Sequence, residues 1–412
     1  MPTTKSPVPR RRLLRLGTAA ALLGPGGGLL VGAARATRKA TPPLVVWFTV
    51  EGAKAMRRLG EDFTRQTGVE VVVETPDDGP AKFQQAAAVG KGPDIYVYAH
   101  DRIGEWIAGG LLHAVTPSRA LREDIDPLGW QGFSSRGRLW GYPMALEAIT
   151  LVYNKALVAT PPRNFDEVIA LDDRLKVQGR RALLWDYTNT YFTWPLLAAN
   201  GGYPFKLRAD GTADSADTGV NHPGAVQGAQ WVERLIREGR MPAGSGYPEM
   251  EAAMAQGRVA MMINGPWSWV NLKRVGMDFG VARIPAVGAR PAVPFVGVRG
   301  LMINRATRQR ELAVEFIEQH LLTAAGLRLL NQAEPLGAPA SRAFYAELAA
   351  DPRTGPQIDT IMTSARDGLP TPNNPEMGRF WAAMKTSLTN LTEGRQTPRQ
   401  ALDAAARRIV QG

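Results

Sequence analysis

The 412-residue sequence contains no cysteine. This excludes disulfides, thiolate metal sites, cysteine nucleophiles and a lipid-modified cysteine as a membrane anchor. Histidine is scarce, with four residues. We therefore expect no metal, no cofactor and no lipid anchor.

The first 36 residues contain six lysines and arginines but no aspartate or glutamate. Arg11 and Arg12 precede a modestly apolar stretch over residues 16–31, and Ala34-Arg35-Ala36 has the A-x-A pattern of a cleavage site. We interpret residues 1–36 as a signal peptide of the twin-arginine type and expect a periplasmic protein. A basic cytoplasmic tail is the alternative. No later run reaches the roughly 18 apolar residues that a membrane-spanning helix needs.

The formal net charge of +11 is concentrated in this leader. Without residues 1–36 the chain has 43 lysines and arginines against 38 aspartates and glutamates, a net charge of +5. That value is typical of a soluble domain, and no basic stripe with interleaved aromatic residues follows the leader. We therefore expect no nucleic-acid partner.

The first hundred residues after the leader alternate between strand and helix patterns. Strand-like runs cover residues 44–50, 69–73 and 94–99. Met56, Leu59 and Phe63 recur at helical spacing before Gly68, and residues 83–89 fit another helix. This alternation predicts an α/β fold in which a parallel sheet is covered by helices. Ligands bind beyond the carboxyl ends of such strands, where this chain places Glu51 and the run Tyr98-Ala99-His100-Asp101-Arg102.

Several short motifs resemble those of the maltose/maltodextrin-binding proteins, which are extracellular solute-binding proteins of ABC importers. They occur in the family's order from about Leu44 to the C-terminus. The motifs are Gly92-Pro93-Asp94-Ile95, Ala99-His100-Asp101-Arg102, Val152-Tyr153-Asn154-Lys155, Tyr191-Phe192-Thr193-Trp194-Pro195-Leu196, Ile263-Asn264-Gly265-Pro266-Trp267, Pro294-Phe295-Val296-Gly297-Val298 and Gly394-Arg395-Gln396-Thr397.

The resemblance implies a two-lobed periplasmic solute-binding fold. Each lobe would be a mainly parallel sheet flanked by helices, with hinge strands crossing between the lobes. The N-terminal lobe would comprise residues 37–146 and 297–350, and the C-terminal lobe residues 147–296 and 351–412. The protein would be a monomer, and it would be a binding protein rather than an enzyme. It would bind a sugar in the cleft and dock transiently on membrane permease subunits.

The same resemblance assigns the sugar contacts by position. Tyr191, Trp267 and Trp381 would stack on the sugar faces, with Tyr98 where the family usually has a tryptophan. Hydroxyl partners would be Glu51, Asp101, Arg102 and Glu147, because sugars need flat aromatic rings for their faces and charged groups for their rims. Further candidate contacts are Asn189, Tyr247 and Lys385.

Packing alternatives exist for several of these residues. Trp267 and Trp381 could be ordinary core aromatics, and Asp101 with Arg102 could be a surface ion pair. Glu147 lies in the apolar run that begins at Pro143, so its carboxylate needs a partner there.

Some positions depart from the family. Asn189 replaces a common glutamate, Pro80 replaces a ligand-facing glutamate, and Lys385 replaces an arginine. The sequence therefore leaves the sugar open among maltose, maltodextrins, trehalose and related glucosides.

Two other functions use similar residues. A glycoside hydrolase also places two carboxylates beside aromatic platforms. A solute-binding protein of the same fold could instead carry a polyamine or a ferric ion, although Arg102 and the stacking aromatics favour a neutral sugar.

The twin-arginine interpretation is tested by changing Arg11 and Arg12 to lysine. We expect the precursor to accumulate in the cytoplasm, because that export route depends on the paired arginines. Fractionation followed by immunoblotting measures this, and undiminished periplasmic protein would show that another route is used.

Overall fold

A computed structural model describes residues 41–208 and 212–411. The predicted signal peptide, residues 1–36, lies outside the described residues. None of the helices in the described ranges is long and apolar enough to cross a lipid bilayer.

Strands and helices alternate along the described residues. The strands are β1 Leu44–Trp47, β2 Val71–Glu74, β3 Ile95–Ala99, β4 Ser134–Ser135, β5 Arg138–Leu139, β6 Tyr142–Ala148, β7 Thr150–Asn154, β8 Arg181–Leu184, β9 Lys206–Leu207, β10 Ala213–Asp214, β11 Val259–Asn264, β12 Phe279–Ala282, β13 Phe295–Ile303, β14 Ala338–Pro339 and β15 Leu369–Pro370. The α-helices are α1 Ala53–Thr67, α2 Gly79–Ala88, α3 Ile103–Ala108, α4 Arg119–Asp124, α5 Pro127–Gly132, α6 Phe165–Lys176, α7 Thr190–Ala198, α8 Pro223–Arg237, α9 Tyr247–Ala255, α10 Trp269–Arg274, α11 Arg310–Phe316, α12 Ala324–Ala333, α13 Arg342–Ala349, α14 Gly355–Asp367, α15 Met377–Thr392 and α16 Pro398–Gln411. Short 3-10 helices cover His100–Arg102 and Pro266–Ser268, and a π-helical turn covers Ile317–Leu321.

The first sheet has the strand order β14-β6-β13-β3-β1-β2, with β15 pairing with the start of β13. β1, β2 and β3 are parallel, as their alternation with α1 and α2 predicts. β13, however, is antiparallel to β3 and β6. The expectation of a mainly parallel sheet therefore holds for the first three strands and for the pairing of β15 with β13, but the pairings of β13 with β3 and β6 and of β14 with β6 are antiparallel. β6 leads away from this sheet towards β7 whereas β13 leads back into it, so the two strands run in opposite directions.

The second sheet has the order β12-β7-β11-β8 and is also mixed. β11 and β8 are parallel, but β7 is antiparallel to both β11 and β12. The chain passes from the first sheet to the second at Ile149, between β6 and β7, and returns before Phe295. These crossings lie two residues from the predicted lobe boundaries at 146/147 and 296/297. Continuous apolar runs extend across both crossings, so hydrophobicity alone does not mark where strand pairing changes.

Helix α1 shows how the sequence pattern produces the packing. Met56, Leu59 and Phe63 recur at helical spacing, and all three are buried against the first sheet's core. Gly68 ends the helix in a left-handed conformation, with φ of 75°, and its N–H donates to the carbonyl of Thr64. At the other end of the chain, α15 packs on α16, α7 and α8, and it also contacts the 3-10 turn at His100–Arg102.

Strand β13 provides a test of close packing, because it is buried along its whole length. A Cβ atom at Gly300 would lie 2.4 Å from the carbonyl oxygen of Tyr142 and 2.5 Å from the Phe133 ring. We expect Gly300→Ala to lower the free energy of unfolding by roughly 1–3 kcal/mol. Urea denaturation measures this.

Gly297→Ala on the same strand is the matched control. A Cβ there would meet its nearest neighbour, the Glu147 side chain, at 3.6 Å, an ordinary contact distance. Equal losses of stability in the two variants would contradict the packing argument.

Candidate functional site

The carboxyl end of β3 carries the first group of predicted site residues. The Tyr98 ring stacks on Tyr96, with centroids 5.5 Å apart and an interplanar angle of 12°. Asp101 and Arg102 follow in the 3-10 turn. Arg102 does not pair with its neighbour; its Nη2 lies 2.9 Å from Oε2 of Glu105. The alternative of an Asp101–Arg102 ion pair is therefore wrong, because the turn directs the two side chains to different partners.

Glu147 finds its partner on the adjacent strand. Its Oε1 lies 3.2 Å from Nε of Arg299, and the same guanidinium pairs with Glu334. The Thr49 hydroxyl donates to Glu334 at 2.5 Å. Burial raises the pKa of the Glu147 carboxyl above its ordinary value; Arg299 opposes this shift, while Glu334 and Asp101 add to it. The expectation that Glu147 needs a buried partner is confirmed.

Aromatic side chains of the second lobe approach these carboxylates. The Tyr191 hydroxyl donates to the backbone oxygen of Glu147 at 3.2 Å, and the Tyr191 ring centroid is 6.4 Å from that of Trp267. Trp381 donates from Nε1 to Oδ2 of Asp101 at 3.0 Å. Burial raises the pKa of the Tyr191 hydroxyl, and the charges of Glu147 and Asp101 add to this shift. Groups from both lobes therefore lie close together.

We call this set the inter-lobe cluster. Its members are Tyr98, Asp101, Arg102, Glu147, Tyr191, Trp267 and Trp381. Burial also raises the pKa of the Asp101 carboxyl, opposed by the charges of His100 and Arg102 and by the hydrogen bond from Trp381. Half-buried rings thus lie beside the half-buried carboxylates of Asp101 and Glu147, which suits a polyhydroxylated ligand.

Four predicted contacts lie outside this cluster. Glu51 is exposed in the turn before α1. Lys385 is exposed on α15, where its charge opposes the burial that raises the pKa of Asp186. Tyr247 donates its hydroxyl to Glu251 at 2.9 Å, and its ring lies 5.9 Å from that of Phe192, behind Tyr191 and Trp267.

Asn189, the fourth, caps a helix. Its Oδ1 accepts a hydrogen bond from the backbone N–H of Tyr191 at 3.1 Å, and it precedes the first residue of α7. The side chain is exposed. A local capping role therefore accounts for this residue.

Residues 49–325 match the bacterial extracellular solute-binding proteins. The chain belongs to this family. The resemblance found in the sequence motifs is thus confirmed, and so is the two-lobed α/β fold class. Membership of an extracellular family also indicates an exported protein.

Three curated relatives of this solute-binding protein cover most of both chains. A galactooligosaccharide-binding protein of Bacillus subtilis is 27% identical over 88% of this chain and 87% of its own. A maltodextrin-binding protein of the same organism is 28% identical over 80% of this chain and 78% of its own. A maltooligosaccharide ABC transporter solute-binding lipoprotein of Streptococcus pneumoniae is 26% identical over 86% and 85%. All three are described as binding proteins.

Three polar residues near the cluster were missing from the sequence prediction. Asp78 follows β2 in a left-handed conformation with φ of 48°, and its charge adds to the burial that raises the pKa of the Tyr98 hydroxyl. Applying the strand-end rule to β2 as well as β1 and β3 would have found it. Arg299 and Glu334 are the other two, and the signal for Arg299 is a charge inside the apolar run at residues 295–303.

The described ranges contain no group of three or more histidine, aspartate or glutamate side chains placed to hold a metal ion.

The capping role of Asn189 is testable. We expect Asn189→Ala to lower the free energy of unfolding by about 1 kcal/mol, because the Tyr191 N–H loses its acceptor. Asn189→Ser keeps an acceptor at the helix N-terminus without placing a second carboxylate beside Asp186, and should retain most of the parent's stability. Urea denaturation compares them, and an alanine variant as stable as the parent would exclude a stabilising cap.

Proposed function

We propose that this protein is the sugar-binding component of an ABC importer. It binds a short oligosaccharide of the maltodextrin type, or a related glycoside, between the two lobes and delivers it to membrane permease subunits. The observation that carries the proposal is the inter-lobe cluster, where aromatic rings of the second lobe lie beside Asp101 and Glu147 of the first.

Sugar chemistry fits this arrangement. A pyranose has apolar C–H faces that pack on aromatic rings and a rim of hydroxyl groups that donate to acceptors. Hydrogen bonds to ionised groups are about twice as strong as neutral ones. Tyr191, Trp267 and Trp381 supply the rings, and Asp101 and Glu147 supply the acceptors.

The contacts between lobes support a closing motion. Trp381 reaches Asp101, and Tyr191 reaches the backbone of Glu147. A ligand that contacts both lobes favours the closed arrangement by the free energy of the contacts made only there. The closed, monomeric protein would then be the form that the permease recognises.

The relatives narrow the ligand class. The three described above carry names that refer to galactooligosaccharides, maltodextrins or maltooligosaccharides, all short chains of hexoses. Because these names cover both galactose-based and glucose-based chains, the ligand panel includes both kinds.

Asn189 caps a helix and Lys385 lies near Asp186. Their departures from the family therefore alter the sugar preference less directly than a lost ligand contact would.

Binding is favoured over catalysis because both buried carboxylates are already engaged. Asp101 accepts from Trp381 and Glu147 pairs with Arg299, whereas a glycosidase needs one carboxyl group as an acid and another as a nucleophile or base. The absence of cysteine supports release into the periplasm without a lipid anchor, after export by the twin-arginine route.

Thermal unfolding and calorimetry with a ligand panel test the proposal. The panel is maltose, maltotriose, a galactotriose, trehalose, spermidine and ferric citrate. We expect an oligosaccharide at a hundred times its Kd to stabilise the protein by about 2.7 kcal/mol. Trp267→Ala and Tyr191→Ala should each weaken its binding about tenfold, since each removes a stacking face.

Trp130→Ala is the matched control, because Trp130 is also half-buried but lies on α5 of the first lobe, with Nε1 donating to the backbone oxygen of Arg122 on α4. It should leave affinity unchanged. Stabilisation by spermidine or ferric citrate with none by the saccharides would overturn the sugar assignment, and shortening of the recovered oligosaccharide would reveal hydrolysis.

A further inference from the structure

Strand β13 contains a buried charged residue, Arg299, in an otherwise uncharged strand. All nine of its residues are buried, and Arg299 is the only charged one among them. The Arg299 side chain is 9% exposed, and its two carboxylate partners, Glu147 and Glu334, are 14% and 5% exposed. Replacing a buried ion cluster of this kind by apolar side chains is often neutral or stabilising. Stability alone therefore does not explain it.

The cluster connects segments that are far apart in sequence. Arg299 lies on β13, Glu147 on β6, and Glu334 directly after α12. The Thr49 hydroxyl donates to Glu334 and also accepts from the backbone N–H of Gly52 at 3.2 Å. The network thus reaches the turn after β1, which carries Glu51.

We propose that Arg299 is a positioning residue of the binding cleft. Its guanidinium fixes the Glu147 carboxylate as an acceptor for ligand hydroxyl groups, and through Glu334 and Thr49 it also orders the turn that carries Glu51. This rests on the proposed function, since Glu147 is one of the acceptors of the proposed sugar site.

The positive charge of Arg299 keeps the Glu147 carboxyl ionised. The titratable and charged groups around Glu147 are Arg299 on β13, Glu334 after α12, Asp101 after β3, Tyr98 on β3 and Tyr191 on α7. Among the described residues, Arg299 is the cation whose charge favours ionised Glu147, and its effect is larger than that of Glu334 or that of Asp101. Without Arg299, burial and the remaining carboxylates would all favour the neutral acid, which is a weaker acceptor.

The pH dependence of ligand affinity follows from the raised pKa of Glu147. Burial already raises the pKa of the Glu147 carboxyl, so its ionised form is lost as the pH falls through that raised value. Affinity should fall over the same range. Removing Arg299 raises the pKa further and moves the loss of affinity to a higher pH.

The test uses a double variant, Arg299→Met with Glu334→Gln, so that no unpaired carboxylate remains at position 334. The matched control is Arg328→Met with Glu347→Gln, an exposed arginine–glutamate pair of the same lobe. The Glu147 titration is followed by NMR of carboxyl-labelled glutamate, assigned with Glu147→Gln. Oligosaccharide affinity is measured by calorimetry between pH 5 and pH 8.

We expect the double variant to fold, to bind about tenfold more weakly at pH 7, and to titrate Glu147 at a higher pH than the parent. The single variant Arg299→Lys should keep the Glu147 pKa close to that of the parent, because lysine retains the positive charge. It should recover less of the affinity, because lysine lacks the planar fork of the guanidinium. When Glu147 is already glutamine, there is no carboxylate at that position for Arg299 to hold. Replacing Arg299 should then lower the affinity only by disturbing the turn that carries Glu51.

An unchanged Glu147 titration together with unchanged affinity in the folded double variant would overturn the inference. If the parent binds no saccharide, the proposed function fails, yet the NMR titration still shows whether Arg299 controls Glu147. The two failures are therefore distinguishable.

Discussion

The antiparallel pairing of β6 with β13 is the constraint on which the rest of the structure depends. β6 leads the chain out of the first sheet and β13 brings it back, so both strands have one end at the crossing between lobes. Glu147 is the last residue but one of β6 and lies near that end, whereas Arg299 is the middle residue of β13. The backbone oxygen of Glu147 accepts from Tyr191 on α7, so the cleft forms around a part of the chain that is fixed by covalent bonds and strand pairing.

A buried charge network is a costly way to build this region, since removing ions from water costs several kcal/mol for each ion. The cost is offset by pairing two carboxylates with one guanidinium and by the Thr49 hydroxyl, which satisfies a further oxygen of Glu334. With both carboxylates ionised, the network carries one excess negative charge. Such a charge suits a site for hydroxyl donors better than a site for an anion.

Sequence periodicity predicted those features that depend on neighbours along the chain. Met56, Leu59 and Phe63 identified a helix face, and the ends of β1 and β3 pointed to Glu51 and Tyr98–Arg102. The stacking positions came from the resemblance, because no local pattern distinguishes Trp381 from a core tryptophan.

The partnership of Arg299 with Glu334 spans 35 residues, and that of Thr49 with Glu334 spans 285. Such pairings follow from the crossing of strands between lobes, which local sequence does not encode. Asn189 was a candidate contact only by its place in the family's order of motifs, and its position directly before α7 also makes it a helix cap.

The contacts that join the lobes involve the same residues that a ligand would use. Trp381 already donates to Asp101, and Tyr191 already donates to the backbone of Glu147. A sugar hydroxyl that binds Asp101 must therefore compete with the indole N–H or share the carboxylate with it, because each carboxylate oxygen accepts from only a few donors. The free energy available for closing the lobes is then the difference between the ligand's contacts and the direct contacts it replaces. A ligand that only substituted for these hydrogen bonds would shift the balance between open and closed forms little, however well it fitted. Stacking on Tyr191 and Trp267 adds contact that no lobe-to-lobe hydrogen bond supplies, but both rings belong to the second lobe. It therefore favours closure only when the same sugar also contacts first-lobe groups such as Tyr98, Asp101 or Glu147.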